Sequence, residues 1–183
     1  NGATPSFSTK SGTGWSLEGM DFANSAAESV IANCPFLWEG TIVLIGQVLG
    51  TKHFVGGTYA GGNSWGMSHS SSLIQFYNGG SNSSGFTDAG DFNAGAPNVC
   101  TISNCPETGT TYAQVNNATP VSSTNATKAN SRINWPEIAI GRHRTTYLSG
   151  WVARALFFSR CLHERDNTNL QTLITTEMAK IGL

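Results

Sequence analysis

RHRTTY, Arg142 to Tyr147, gathers three basic side chains and a tyrosine within six residues, in a chain with only ten Lys and Arg in all. A guanidinium offers paired N–H donors to a carboxylate or phosphate, and an aromatic face is an apolar platform with a polar rim. Arg142, His143, Arg144 and Tyr147, with Trp135 just upstream, therefore suit an anionic sugar or an acidic partner. Trp65, His69, Tyr77 and Asn78 form a second group with stacking faces and planar polar groups, the equipment for sugar hydroxyls. The plainer reading of RHRTTY is a solvated hairpin tip, with Trp135 tucked into the core edge.

Other chemistry is less well supplied. Gly-x-Ser-x-Gly does not occur, and GNSWG lacks the strand, elbow and helix that make such a serine nucleophilic. His53, His69, His143 and His163 are scattered, each reading as a surface or strand residue rather than a base. The loop TDAGDFNAG offers Asp88, Asp91 and Asn93 among glycines. Oxygen ligands on a flexible loop suit Ca²⁺, the one cofactor for which the chain has candidate ligands, although such loops are also ordinary turns. Four cysteines permit two disulfides in three pairings. CTISNC, Cys100 to Cys105, could close a small loop and leave Cys34 to pair with Cys161; four free, mostly buried thiols are the alternative. CxxxxC is not a zinc signature.

The composition narrows the class. Of 183 residues 11% are charged, the formal net charge is −1, and glycines number 21. There is no basic footprint for nucleic acid and no apolar run near the ~20 residues of a membrane helix. Surface polarity must come from Ser, Thr, Asn and Gly, a style common in secreted and viral β proteins. The opening NGATPSFSTKSGTG has no signal-peptide core and no initiator Met. The expectation is one mature or excised domain over 1–183, a piece of something longer, with 1–14 an extended linker or arm.

Elements that must position these residues follow from periodicity. GWSLEGMDFA alternates as a strand, and WEGTIVLIGQVLG is a strand buried on both faces. NSAAESVIANCPF is open between a helical turn begun by Ser25 and Glu28 and an irregular strand, with Pro35 ending either. Short strands are expected near 52–55, 65–68 and 72–77, with YNGG as a hairpin signal. PNVCTIS reads as a strand, TTYAQVNNATPVS as a hairpin, and EIAIG and SGWVARALFFS as closing strands. Leu170, Leu173, Ile174, Met178 and Ile181 have helical spacing, predicting a terminal helix over 167–181 capped by Asn167 or Thr168. Many short strands and one terminal helix define an all-β antiparallel sandwich.

The C-terminal third, IAIG, LSGWVARALFF, SRCL and NLQTLITTEM in that order, resembles the concanavalin A-like lectin/glucanase superfamily in its laminin-G and pentraxin-like branch. GWSLEGMDFA is similar to that family's opening strand, WEGTIVLIGQV to its first long core strand, and TTYAQVNNATPVS to its short-turned hairpin. The resemblance implies a jelly-roll sandwich and, as in relatives with this fold, a loop able to hold calcium. Gly150 would admit the closing strand beside a neighbouring backbone. Val152, Ala155 and Phe157 would face the core across a bulge, and Arg160 would bond carbonyls where the helix begins. A glucanase of this type needs Glu-x-Asp-x-Glu on one strand, which puts acid and nucleophile on one face. No carboxylates stand at that spacing on a credible strand, Glu164 and Asp166 falling in the turn before the last helix. The sequence therefore predicts a non-enzymatic lectin-like module, extracellular or on a virion surface (a phage fibre, spike or decoration). Its partners would be a cell-surface glycan or neighbouring protein subunits, with no nucleic acid and no membrane insertion. A purely structural domain for homo-oligomerisation or capsid decoration is the alternative.

Overall fold

A computed structural model describes residues 5–22, 30–36, 39–49, 52–57, 66–70, 73–77, 84–86, 96–124, 135–143 and 146–183. For 30–36, 52–57, 66–70, 73–77, 84–86, 135–138, 142–143 and residues 123 and 146 the backbone alone is described. The strands are β1 (Ser6–Gly12), β2 (Trp15–Phe22), β3 (Val30–Phe36), β4 (Gly40–Val48), β5 (Lys52–Gly57), β6 (Gly66–Ser70), β7 (Leu73–Tyr77) and β8 (Ser84–Phe86). They continue with β9 (Asn98–Cys105), β10 (Thr110–Val115), β11 (Val121–Thr124), β12 (Trp135–Ile140), β13 (Arg142–His143), β14 (Thr146–Tyr147) and β15 (Gly150–Phe158). Two helices close the chain, α1 (Leu162–Arg165) and α2 (Asn167–Lys180). The fold class expected from the sequence, an antiparallel β-sandwich with a C-terminal helix, is the one observed. One sheet has the order β1-β2-β15-β4-β9-β10-β11, the other β3-β12-β5-β6-β7-β8, and β13-β14 is a separate hairpin.

β4 is the centre of the larger sheet, and its alternation explains the unbroken apolar run Ile42 to Ile45. Ile42, Leu44 and Val48 enter one core with Phe22, Cys100, Ile102, Val115, Leu148 and Val152, against which Ile140 of β12 packs. Val43 and Ile45 enter a second core with Leu162, Leu170, Ile174, Met178 and Ile181. A strand sandwiched this way must be apolar on both sides. Each fully buried Leu or Ile of α2 contributes about 1.5–3 kcal/mol, which is what docks the helix. Polar contacts fix its register. Gln171 and Gln114 exchange amide hydrogen bonds of 2.8 and 2.9 Å. The buried Glu177 accepts from Arg154 of β15 at 3.1 Å and from Lys180 at 2.6 Å.

In the closing strand Val152 and Phe157 reach the inter-sheet core as expected, while Ala155 is half-buried. Register shifts between Val152 and Arg154, and this bulge lets Val152 and Phe157 reach the same core despite their odd spacing. Gly150 has φ +157, and a Cβ there would collide with the Gln47 carbonyl oxygen.

Several expectations are corrected. The opening stretch is extended, as an arm would be, but Ser6–Gly12 is hydrogen-bonded along β2. Pro35 does not end its element: β3 runs through it to Phe36, at an edge and beside a register shift, the two places a sheet tolerates proline. Ser25 and Glu28 lie outside the described residues. The N-cap position of α2 is Asp166, not Asn167 or Thr168; its carboxylate makes no bond to the backbone of the first turn and accepts instead from the Asn169 side chain at 2.9 and 3.1 Å. Arg160 is exposed, and it is its own carbonyl that accepts a bond, from the Thr41 hydroxyl at 2.8 Å.

The disulfide joins Cys105 to Cys161, with Cα atoms 5.2 Å apart. Neither the Cys100–Cys105 loop nor the Cys34–Cys161 pair forms, and the reading of four free thiols fails with them. Cys100 and Cys105 both lie on β9, five residues apart and of opposite parity. They are roughly 17 Å apart along an extended chain and on opposite faces. Cys100 is a free thiol in the inter-sheet core, where burial pushes its pKa up. Cys34 lies in β3 of the other sheet.

Candidate functional site

RHRTTY folds as a hairpin. Arg142 pairs with Tyr147 and His143 with Thr146; Arg144 and Thr145 lie outside the described residues. Two features of the flanking chain hold it. Gly141 adopts φ +83 where a Cβ would strike the Phe22 ring. The buried Leu148 returns an N–H to the Gly141 carbonyl at 2.8 Å. The hairpin lies beside β5 of the six-stranded sheet, and Tyr147 is half-buried.

The same sheet carries most of the other sugar-binding candidates. Trp135 opens β12 opposite Phe36. His69 of β6 stands between Lys52 and Ile74, and Tyr77 of β7 stands opposite Gly66. His69 and Tyr77 occupy positions of opposite parity on that ladder. Trp65 and Asn78 adjoin β6 and β7 but lie outside the described residues, as do the calcium candidates Asp88, Asp91 and Asn93.

A second polar cluster, absent from the sequence reading, sits where β4, β9 and β10 meet α1. Ser103 is 2.7 Å from the Thr41 hydroxyl and 2.6 Å from His163 Nδ1. His163 Nε2 is 3.4 Å from Gln114 Oε1, and Tyr112 stacks on the imidazole at 5.2 Å and 8°. A hydroxyl has one proton, and Thr41 gives its own to the Arg160 carbonyl, so toward Ser103 it is an acceptor. Ser103 and His163 are at nucleophile–base distance, yet Ser103 is fully buried and its other side is closed by Thr41. A substrate has no way in, and burial lowers the His163 pKa to about 4. The pair is therefore a structural lock on α1, and His163 is a buried helix residue rather than the surface or strand residue expected.

Charged groups complete this corner. Glu39 accepts from the Cys161 backbone at 3.0 Å and from Arg165 at 2.7 Å, and Arg165 also reaches Glu107 at 2.8 Å. Glu164 accepts from Thr108 at 2.6 Å and Tyr112 at 3.1 Å. Burial and the Glu164 carboxylate push the Tyr112 phenol above its ordinary range. Cys105, Cys161 and Glu164 come together in a way that would suit a metal, but the disulfide takes both sulfurs. The sequence signal for the cluster is faint. Thr41 and Ser103 are two of several polar positions in β4 and β9, and only the β4–β9 register puts them opposite each other.

Solved structures share the fold. The CBM40 module of the Ruminococcus gnavus IT-sialidase, bound to α2,3-sialyllactose, matches with TM-score 0.60 at 10% identity, over 75% of this chain and 83% of the module. The binding domain of botulinum neurotoxin DC in complex with SialylT matches with TM-score 0.66 at 10% identity, over 94% of this chain and 45% of that one. NanB sialidase from Streptococcus pneumoniae matches with TM-score 0.64 at 11% identity, over 84% of this chain; the chain spans only 27% of the sialidase. No protein-family model matches the sequence, and no curated protein matches it. At these identities the likenesses define the fold alone, an antiparallel β-sandwich shared with the CBM40 module and the neurotoxin binding domain.

Proposed function

We propose that the chain is a non-catalytic carbohydrate-binding module for an anionic glycan, with Arg142, His143, Arg144 and Tyr147 as its recognition hairpin. The observation that carries this reading is the placement of RHRTTY as a hairpin beside β5, on the sheet that also bears Trp135, His69 and Tyr77. Two structural neighbours are complexes with sialylated ligands by name, which supports an anionic sugar. An arginine fork is the natural partner for a sugar carboxylate. We place the fold in the concanavalin A-like superfamily, laminin-G and pentraxin-like branch, as part of a larger extracellular or virion surface protein. The Cys105–Cys161 disulfide supports an oxidising compartment.

The lack of a Glu-x-Asp-x-Glu strand supports the non-catalytic reading, as do the contacts that tie Asp21 to Lys10 and Ser8, Glu39 and Glu107 to Arg165, and Glu177 to Arg154 and Lys180. Calorimetry with 3′-sialyllactose against lactose tests the reading. Binding is expected for the sialylated sugar alone, falling about tenfold or more in Arg142→Ala, the loss of one charge-assisted pair. Equal binding of both sugars, or of neither, would exclude an anionic glycan. For Asp88, Asp91 and Asn93 we propose a Ca²⁺ site. Chelation should lower the melting temperature, and Asp88→Ala should remove the effect; melting indifferent to chelator excludes the site.

A further inference from the structure

We infer that β1 is a dimerisation edge, pairing antiparallel with β1 of a second copy of this chain. This stands apart from the glycan reading, because β1 belongs to the other sheet. The other described edges of the two large sheets are each protected against strand addition. β3 carries Pro35 and a register shift. β8 has three residues and β11 four. β1 has none of these devices: it runs seven residues with unbroken register to β2 and ends the strand order of its sheet.

Its side chains fit a partner as well. Phe7 is 78% exposed, more than Leu49 or Leu183. It is in register with Met20, which is in register with Val152, and both of those pack into the inter-sheet core. Phe7 thus continues a core row one strand beyond its cover. The single charge on the strand, Lys10, would ordinarily repel another strand, but its ammonium is held 3.0 Å from Asp21 on the neighbouring β2. The remaining residues are Ser, Thr and Gly, neutral and small.

A second copy is the occupant the sequence favours, because SFSTKSG is self-complementary about Thr9. A two-fold axis there sets Ser8 opposite the partner's Lys10 and Phe7 opposite the partner's Ser11, so neither the lysines nor the phenylalanines meet head-on. Ser8 bonds Asp21 across a diagonal of the β1–β2 ladder, so each lysine approaches a serine whose hydroxyl is held by a carboxylate. The contact is isologous and closes at two copies, joining two seven-stranded sheets into one.

Sedimentation of the full chain over a range of micromolar concentrations tests this. The expected result is a monomer–dimer equilibrium that the double variant Phe7→Lys/Thr9→Lys shifts to monomer while circular dichroism is unchanged. A monomer at every concentration overturns the inference, as does a dimer that the double variant leaves intact. Should that variant not fold, Thr9→Cys decides. A short bis-maleimide must then cross-link it into a dimer that the unmodified chain does not give; no such product overturns the pairing.

Discussion

His163 is neutral in the folded chain at neutral pH because its imidazole is buried against Tyr112 and Ser103, with no carboxylate bonded to the ring. Its pKa falls from the ordinary 6.5 to about 4. The sign of the consequence is fixed. Between pH 6.5 and 4 the unfolded chain takes up a proton that the folded chain refuses, so stability is greatest above pH 6.5, falls as pH drops, and levels off below about 4. The full effect is of order 3 kcal/mol. Other acids titrate in the same window, so the comparison is with His163→Gln. Denaturant melts should find the variant less stable at pH 7, with the gap narrowing as pH falls to 4. A gap independent of pH would mean the imidazole is not neutral.

At the scale of elements, the disulfide is the longest-range constraint on the C-terminal helices. It ties the end of β9 to the residue that precedes α1, across a sequence separation of 56. Closing a loop of that size in the unfolded chain contributes about 4 kcal/mol by chain entropy. Cys105→Ser/Cys161→Ser should lose stability of that order, and hydrogen exchange should rise first in α1, whose remaining polar ties include those to Glu39, Thr41, Ser103 and Tyr112. Uniform exchange would show that the polar ties hold α1 without the bridge. The same elements show where the sequence was readable. β4, β15 and α2 were legible because one strong pattern fixed each: an uncharged β-branched run, a glycine entry with an odd core spacing, a 3.6-residue stripe. The hairpin nature of RHRTTY was also legible, as a basic cluster between two apolar strands. The pairing of Cys105 and the Thr41–Ser103–His163 chain were not. They depend on which strands become neighbours, and β4, β9 and α1 are far apart in sequence. The cap on α2 slipped by one residue because Asp166, Asn167 and Thr168 are all able cap formers.

For the whole molecule, the two proposed surfaces lie on different sheets and therefore combine without competing. The hairpin site belongs beside the six-stranded sheet, and the β1 edge closes the seven-stranded one. A dimer through β1 would carry two glycan sites on one rigid body. Binding to a sialylated surface then gains an intramolecular second step, with avidity of order 10²–10⁴ over a single site, whereas a soluble sialyllactose meets one site at a time. Three proteins separate the contributions. The wild type should bind free sugar weakly and a densely sialylated surface tightly. Phe7→Lys/Thr9→Lys should keep its free-sugar affinity and lose about 100-fold or more on the surface. Arg142→Ala should lose both. Surface plasmon resonance at low and high ligand density, with calorimetry for the free sugar, gives these numbers. If the double variant keeps full surface avidity, the two sites are not joined through β1; if Arg142→Ala binds the surface like wild type, the hairpin is not where the glycan lies.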